Sequence, residues 1–338
     1  MISFGVVFGL LAAFCQSLSY LATRHFVAVR QGGSRLLLVL SHILMGVVSL
    51  AVLPWIWPAD LPSWRLYAEP LFSVSIFYLM GQMALLVALR HAEPSRISPM
   101  LAFKIVLLAG MTVILTGVVI SPLQWVAIAL CLVGVVTLNY TGGANHPHAA
   151  IAVAMACLLY SLSDWNIVRL VNIASPHPDW RTFTWATLTC YVLCGLISAI
   201  FLPWYGSRKA KDWIDACPFA GTWLAAMLFL FACFGIEGVV YGNILQSTRG
   251  IISVLLGVIL AAVGMLHLER AAGHGVFARR MIAAIFMLGA VVLYGREKDR
   301  LSHVQPTPAH KTVDAKFESL PKTDNLVLSP SATLALDF

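Results

Sequence analysis

Three charged side chains interrupt long apolar stretches of this sequence: Lys104 in LAFKIVLLAG, Asp164 in YSLSDWNIV and Glu237 in CFGIEGVVYG. At the centre of a membrane helix such a residue costs about 2.5–3.5 kcal/mol on the insertion scale, so it normally faces a bundle interior or a watery cavity and is a functional candidate by default. Two carboxylates at similar depth disfavour each other's ionisation through burial and repulsion, which suits a group that takes up and releases a proton. Asp164 and Glu237 are therefore candidates for a proton-coupling element. Lys104 is a compact point charge suited to a carboxylate or phosphate on a bound molecule. Its position before its span centre, with both acids beyond theirs, places it vertically apart from either acid.

Uncharged polar residues at helical spacing add to the constellation. Tyr78 and Gln82 share a face with Ser75, Gln16 shares one with Tyr20, and Glu237 shares one with Tyr241, a pattern able to line a cavity. Taken singly, each also suits an interhelical hydrogen bond, a common use of polar side chains in membranes.

The elements that must position these residues follow from composition. Of 338 residues 59% are hydrophobic and 11% charged, against about 25% charged in an ordinary soluble domain. Lipid offers no hydrogen-bond partner to the backbone, so runs of about 20 apolar residues must be helices. Ten spans are expected, near residues 3–23, 36–56, 70–89, 99–119, 122–140, 149–170, 183–203, 220–245, 251–268 and 277–294. The chain is thus expected to be a multi-pass all-α membrane protein whose first span is not a cleaved signal. Residues 296–338 lose hydrophobicity and gain Pro, Ser, Thr and mixed charge, the composition of a disordered tail.

The formal net charge of +7 comes mostly from basic residues in short loops beside the spans, where they orient a membrane protein and make no nucleic-acid surface. Odd-numbered loops hold most of them, and the even-numbered loops hold only Arg65, Arg169, Arg181 and Arg249. That bias puts the odd loops in the cytoplasm, while Arg296, Lys298 and Arg300 after the last span pull the other way.

The second half repeats the first. LMGVVSLAVLPW (44–55) aligns with LCGLISAIFLPW (193–204), AAFCQSLSY (12–20) with ACLLYSLSD (156–164), and VGVVTL (133–138) with LGAVVL (288–293). Five spans per copy is an odd number, so the copies, 1–145 and 146–295, enter the membrane upside down relative to each other. Such inverted repeats characterise many secondary transporters, with the substrate site near the midplane between copies.

With these features the chain resembles the drug/metabolite transporter superfamily, particularly the EamA-type ten-helix exporters. ALLVALRHAEPSRISPMLAFKIVLLAGMTVILTG (84–117) and YGNILQSTRGIISVLLGVILAAVGMLHLER (241–270) are similar to that family's third-to-fourth and eighth-to-ninth spans. The acidic turn that often closes the family's fourth and ninth spans is matched loosely by His267-Leu268-Glu269 and not by Leu115-Thr116-Gly117. The resemblance implies secondary transport of a small metabolite, such as an amino acid or a drug, with both termini in the cytoplasm.

No cofactor or metal is expected. The seven cysteines are scattered without ligand pairing, and neither His-Glu-x-x-His nor Gly-x-Ser-x-Gly occurs, which argues against a membrane enzyme. The expected partners are the lipid bilayer, a small-molecule substrate and protons, in a cell membrane of the bacterial inner-membrane type. A lipid-linked substrate flippase on the same fold and a non-transporting scaffold or sensor are the alternatives. Substrate identity and oligomeric state are not encoded in any motif found.

Overall fold

A segment of about 20 apolar residues in lipid satisfies its backbone by coiling on itself, and the chain does this throughout. The computed structural model describes residues 3–29, 33–58, 60–91, 101–139, 147–207, 209–262 and 274–304, and among them every regular element is helical. In chain order these are α1 (Phe4–Val29), α2 (Gly33–Val52), α3 (Trp64–His91), α4 (Lys104–Thr116), α5 (Pro122–Asn139), α6 (Pro147–Ala174), α7 (Trp180–Ile200), α8 (Ala210–Glu237), α9 (Val239–Ser247), α10 (Arg249–Ala262) and α11 (His274–Val304). Single helical turns, Leu53–Ile56 and Leu202–Tyr205, follow α2 and α7.

Among the described residues six helices are long and apolar enough to cross a membrane: Phe4–Val27, Gly33–Ile56, Trp64–Ala88, Pro147–Ala174, Trp180–Ile200 and Ala210–Glu237. Lys104–Thr116 and Pro122–Thr137 are shorter apolar helices. The predicted span over 220–245 is corrected by the backbone. At Gly238 φ is +82° and ψ 163°, a region open in practice only to glycine, so α8 stops at Glu237 and a new helix begins at Val239. Hydropathy could not see this break, because apolar residues continue across it. α9 and α10 meet at Thr248, which stays near helical geometry with φ −61° and ψ −15°. The segment around His267–Glu269 lies outside the described residues.

Helix ends follow ordinary local chemistry. Asp179 caps α7, its Oδ1 accepting from the Thr182 backbone N–H and hydroxyl, both at 2.8 Å. Partial burial would raise its carboxyl, but these hydrogen bonds outweigh it and hold the group below its ordinary value.

Polarity is distributed inside out. Leu50, Ile114, Val119, Ile151, Leu196 and Ile285 are exposed, while Gln16, Ser17, His42, Ser75, Asp164 and Asn243 are buried. An apolar exterior, with polar side chains withdrawn among the buried apolar ones, is what a lipid solvent selects. The exposed Trp55 and Trp204 sit on the two single helical turns, positions suited to interfacial anchors.

α1 packs along α8, α3 along α6, and α2 along α7. The closest approach is glycine on glycine, for a Cβ built on Gly46 would stand 2.9 Å from the Gly195 Cα, and one on Gly195 2.8 Å from the Gly46 Cα. Only residues without side chains let two helix backbones come this near.

Residues 1–295 form one compact unit and 296–338 a second. α11 runs on to Val304, so the first residues of the segment predicted to be disordered are helical, and 305–338 lie outside the described residues.

Candidate functional site

Lys104 opens α4, Asp164 lies ten residues before the end of α6 at Ala174, and Gln246 and Asn243 stand in the last turns of α9. At about 1.5 Å per residue Asp164 stands about 15 Å before the end of its helix, well inside it. There the Lys104 Nζ is 3.0 Å from Asp164 Oδ2 and donates to Gln246 Oε1 at 3.2 Å. Asn243 Nδ2 donates to the same Asp164 oxygen at 3.0 Å, and the ammonium stands 5.9 Å from the centroid of the Tyr160 ring. The side chains of Lys104 and Asp164 are 13% and 10% exposed. The vertical separation expected of Lys104 from both acids is thus corrected. The expectation compared distances from span centres alone, whereas α4 begins at Lys104 and packs against α6, and a four-carbon stem carries the ammonium to the carboxylate.

A second cation stands in a similar setting. Arg249 opens α10, donates to Gln16 Oε1 at 3.2 Å and places its guanidinium carbon 5.8 Å from the Tyr20 ring centroid. Lys104 binds Gln246, three residues before Arg249, so the two cations border one polar region. The Tyr160 hydroxyl and the Asn243 Oδ1 are buried without a hydrogen-bond partner.

Behind them lies an aromatic and polar wall. The Tyr78 hydroxyl is 3.2 Å from His42 Nε2 and within hydrogen-bonding reach of Gln82. The Tyr78 ring lies 6.2 Å from that of Tyr191, whose hydroxyl accepts from Trp223 Nε1 at 2.9 Å. Tyr78 and Tyr160 are themselves 6.4 Å apart between ring centroids. The structure therefore draws Lys104, Asp164, Gln16, Tyr20, Tyr78 and Gln82 toward one region.

It sends Glu237 and Tyr241 elsewhere. With α7 reversing the chain between them, α6 and α8 run the same way, so Glu237 at the end of α8 is about 15 Å from the Asp164 level. The Ser3 hydroxyl donates to Glu237 beside the first turn of α1, where a carboxylate complements the unsatisfied N–H groups and the helix dipole. Tyr241 is buried, stacks on Tyr294 at 5.2 Å and donates to the Val291 carbonyl at 3.1 Å. Similar depth for the two acids followed from running the eighth span through Gly238, and the backbone break removes that premise. Glu237→Gln is expected to lower stability by about 1 kcal/mol through loss of the charge–dipole interaction. The thermal midpoint of detergent-purified protein checks this, and an unchanged midpoint would remove the capping role.

Arg249, Tyr160, Asn243 and Gln246 were not among the residues singled out by sequence. Arg249 was counted with a loop because it follows a polar stretch, Gln246-Ser247-Thr248, yet it is the first residue of a helix. The signal that could have found it is the repeat. AAFCQSLSY over ACLLYSLSD already sets Gln16 beside Tyr160 and Tyr20 beside Asp164. Among the described residues no three His, Cys, Asp or Glu side chains are grouped to hold a metal.

Fold and site together define a multi-pass α-helical membrane protein with a buried, ion-paired polar site. Residues 3–140 match the EamA-like transporter family, which bears out the resemblance read from the sequence. No curated protein matches the chain. Among solved structures, one titled only as the crystal structure of a protein is similar at 16% identity with a TM-score of 0.66, covering 88% of this chain and 98% of its own. That likeness, which concerns fold alone, extends well beyond residues 3–140.

Proposed function

We propose that the protein is a secondary active transporter, working as an exporter of a small metabolite such as an amino acid or a drug-like compound, in a bacterial inner membrane. Ten spans divide into two inverted five-helix repeats, 1–145 and 146–295, whose exchange of packing opens a central site to one side and then the other. The observation that carries this reading is the buried Lys104–Asp164 pair, which joins a helix of the first proposed half to one of the second. A charged pair so buried is costly to build and needs a solvated route or a ligand to justify it.

Contacts between equivalent positions support the repeat. Gly46 and Gly195, which the alignment of 44–55 with 193–204 sets opposite each other, touch backbone to backbone. The Ser17 hydroxyl reaches the Ala13 and Arg249 carbonyls, and its counterpart Ser161 reaches those of Cys157 and Lys104. Two copies related in this way have two near-equivalent packings, which is the physical basis of alternating access. Of the two acids named for proton coupling, Asp164 is the one that lies in the polar region with Lys104.

Counterflow in proteoliposomes tests the reading, with labelled amino acids, organic acids, nucleobases and sugars inside and out. Saturable exchange of at least one compound, lost in Lys104→Gln, is the expected result. Absence of exchange across the panel, with lipid scrambling in the same vesicles, would replace the transporter by a flippase.

A further inference from the structure

We infer that Arg249 is the receptor for a carboxylate on the transported molecule, a role performed at the equivalent position by the protein's own Asp164. The inference rests on the transporter reading and names its substrate class: small organic carboxylates.

The argument starts from two serines. Ser17 and Ser161 align within the repeated Ser-Leu-Ser, and each hydroxyl binds the carbonyl four residues back and a second carbonyl on another helix. Those second carbonyls belong to Arg249, at 3.0 Å, and to Lys104, at 3.4 Å. The two basic residues therefore occupy equivalent places in the two halves, each the first residue of its helix.

The same alignment assigns their neighbours. Tyr160 lies by Lys104 where Gln16 lies by Arg249, and Asp164 lies by Lys104 where Tyr20 lies by Arg249. The two sites thus share a cation and a flanking polar residue and differ in one decisive respect. Lys104 has a carboxylate at 3.0 Å, whereas the partners of Arg249 among the described residues are a neutral amide and an aromatic face.

A guanidinium cannot shed its proton to escape low dielectric, so in this setting it needs an anion. Its planar fork binds a carboxylate with two parallel N–H···O bonds, a geometry the Lys104 ammonium cannot offer. Gln16 occupies one Nη1 donor, among the described residues the rest of the fork has no hydrogen-bond acceptor, and the Tyr20 ring lies beside the guanidinium. The Tyr160 hydroxyl, on the helix that carries Asp164, is buried without a hydrogen-bond partner. The charges of Lys104, Arg249 and Asp164 sum to one positive, which a monocarboxylate neutralises.

The test uses full-length protein in detergent, with binding followed by calorimetry and thermal shift, and the same protein in proteoliposomes for flux. The probes are acid and amide pairs: benzoate and benzamide, lactate and lactamide, phenylalanine and phenylalaninamide, with glucose, adenine and choline as unrelated compounds. At least one acid is expected to bind at least tenfold more tightly than its amide. Arg249→Gln is expected to weaken that acid at least tenfold and leave the amide unchanged.

Tyr20→Asp guards against a variant that simply misfolds. It keeps Arg249 and installs beside it the tethered carboxylate that Lys104 already has, so the protein should elute as the parent does and lose acid binding. Equal affinity for acid and amide, or acid affinity retained in Tyr20→Asp, would overturn the inference. Binding and flux of glucose, adenine or choline without any acid would overturn it while leaving the transporter standing. Neither binding nor flux for any probe would remove both.

Discussion

Asp164→Asn is expected to cost about 3 kcal/mol of stability and to reduce flux at least tenfold. Removing one partner of a buried pair strands the other charge, and the penalty of that uncompensated charge is what the measurement reads. Lys104 would keep Gln246 at 3.2 Å and the Tyr160 face, neither of which carries a negative charge. Lys104→Met combined with Asp164→Leu removes both charges and is expected to regain most of the lost stability, since apolar replacement of a buried pair is often neutral or favourable. Flux should not return with it. Thermal midpoints of the two variants, read beside counterflow, separate folding from function. A double variant less stable than Asp164→Asn would show that the site is held together by something other than charge pairing.

Gly46→Ala and Gly195→Ala are each expected to destabilise by about 1–3 kcal/mol, the usual cost of overpacking. A new Cβ at either position meets backbone at 2.9 or 2.8 Å, and backbone cannot swing aside as a side chain would. Because either methyl forces the same separation of α2 from α7, the double variant should cost less than the sum of the singles. The contact joins equivalent positions of the proposed repeats, so a rearrangement of the halves must pivot or slide there, and flux should fall with stability. Midpoints equal to that of the parent in both single variants would mean that the two helices do not approach this closely.

Much of this protein was legible in its sequence. Membrane residence followed from apolar runs that only helices can carry through lipid, and the EamA-like resemblance rested on segments that include Lys104. Asp164 and Lys104 stood out because charge is expensive in apolar surroundings, and that cost is a property of the residue type. The Ser-Leu-Ser and Leu-Pro-Trp correspondences already related the halves, since a duplicated packing problem keeps similar residues at similar places.

What the sequence left open depends on where helices begin, end and cross. Hydropathy reads through Gly238, because the break is set by a backbone angle of +82° and no change of polarity marks it. Only the fold therefore moved Glu237 out to the first turn of α1 and separated it from Asp164. The 3.0 Å approach of Lys104 to Asp164 required α4 to start at Lys104 and α6 to pass beside it, a convergence between residues sixty positions apart that local pattern does not encode. Arg249 shows the division most clearly. Taken singly, as one basic residue after a polar stretch, it was passed over, and its equivalence to Lys104 emerged when the two aligned serine hydroxyls were found on the two corresponding carbonyls. Composition fixes the solvent and the kind of element, while the placing of charges against one another belongs to tertiary packing, because it depends on distances between helices.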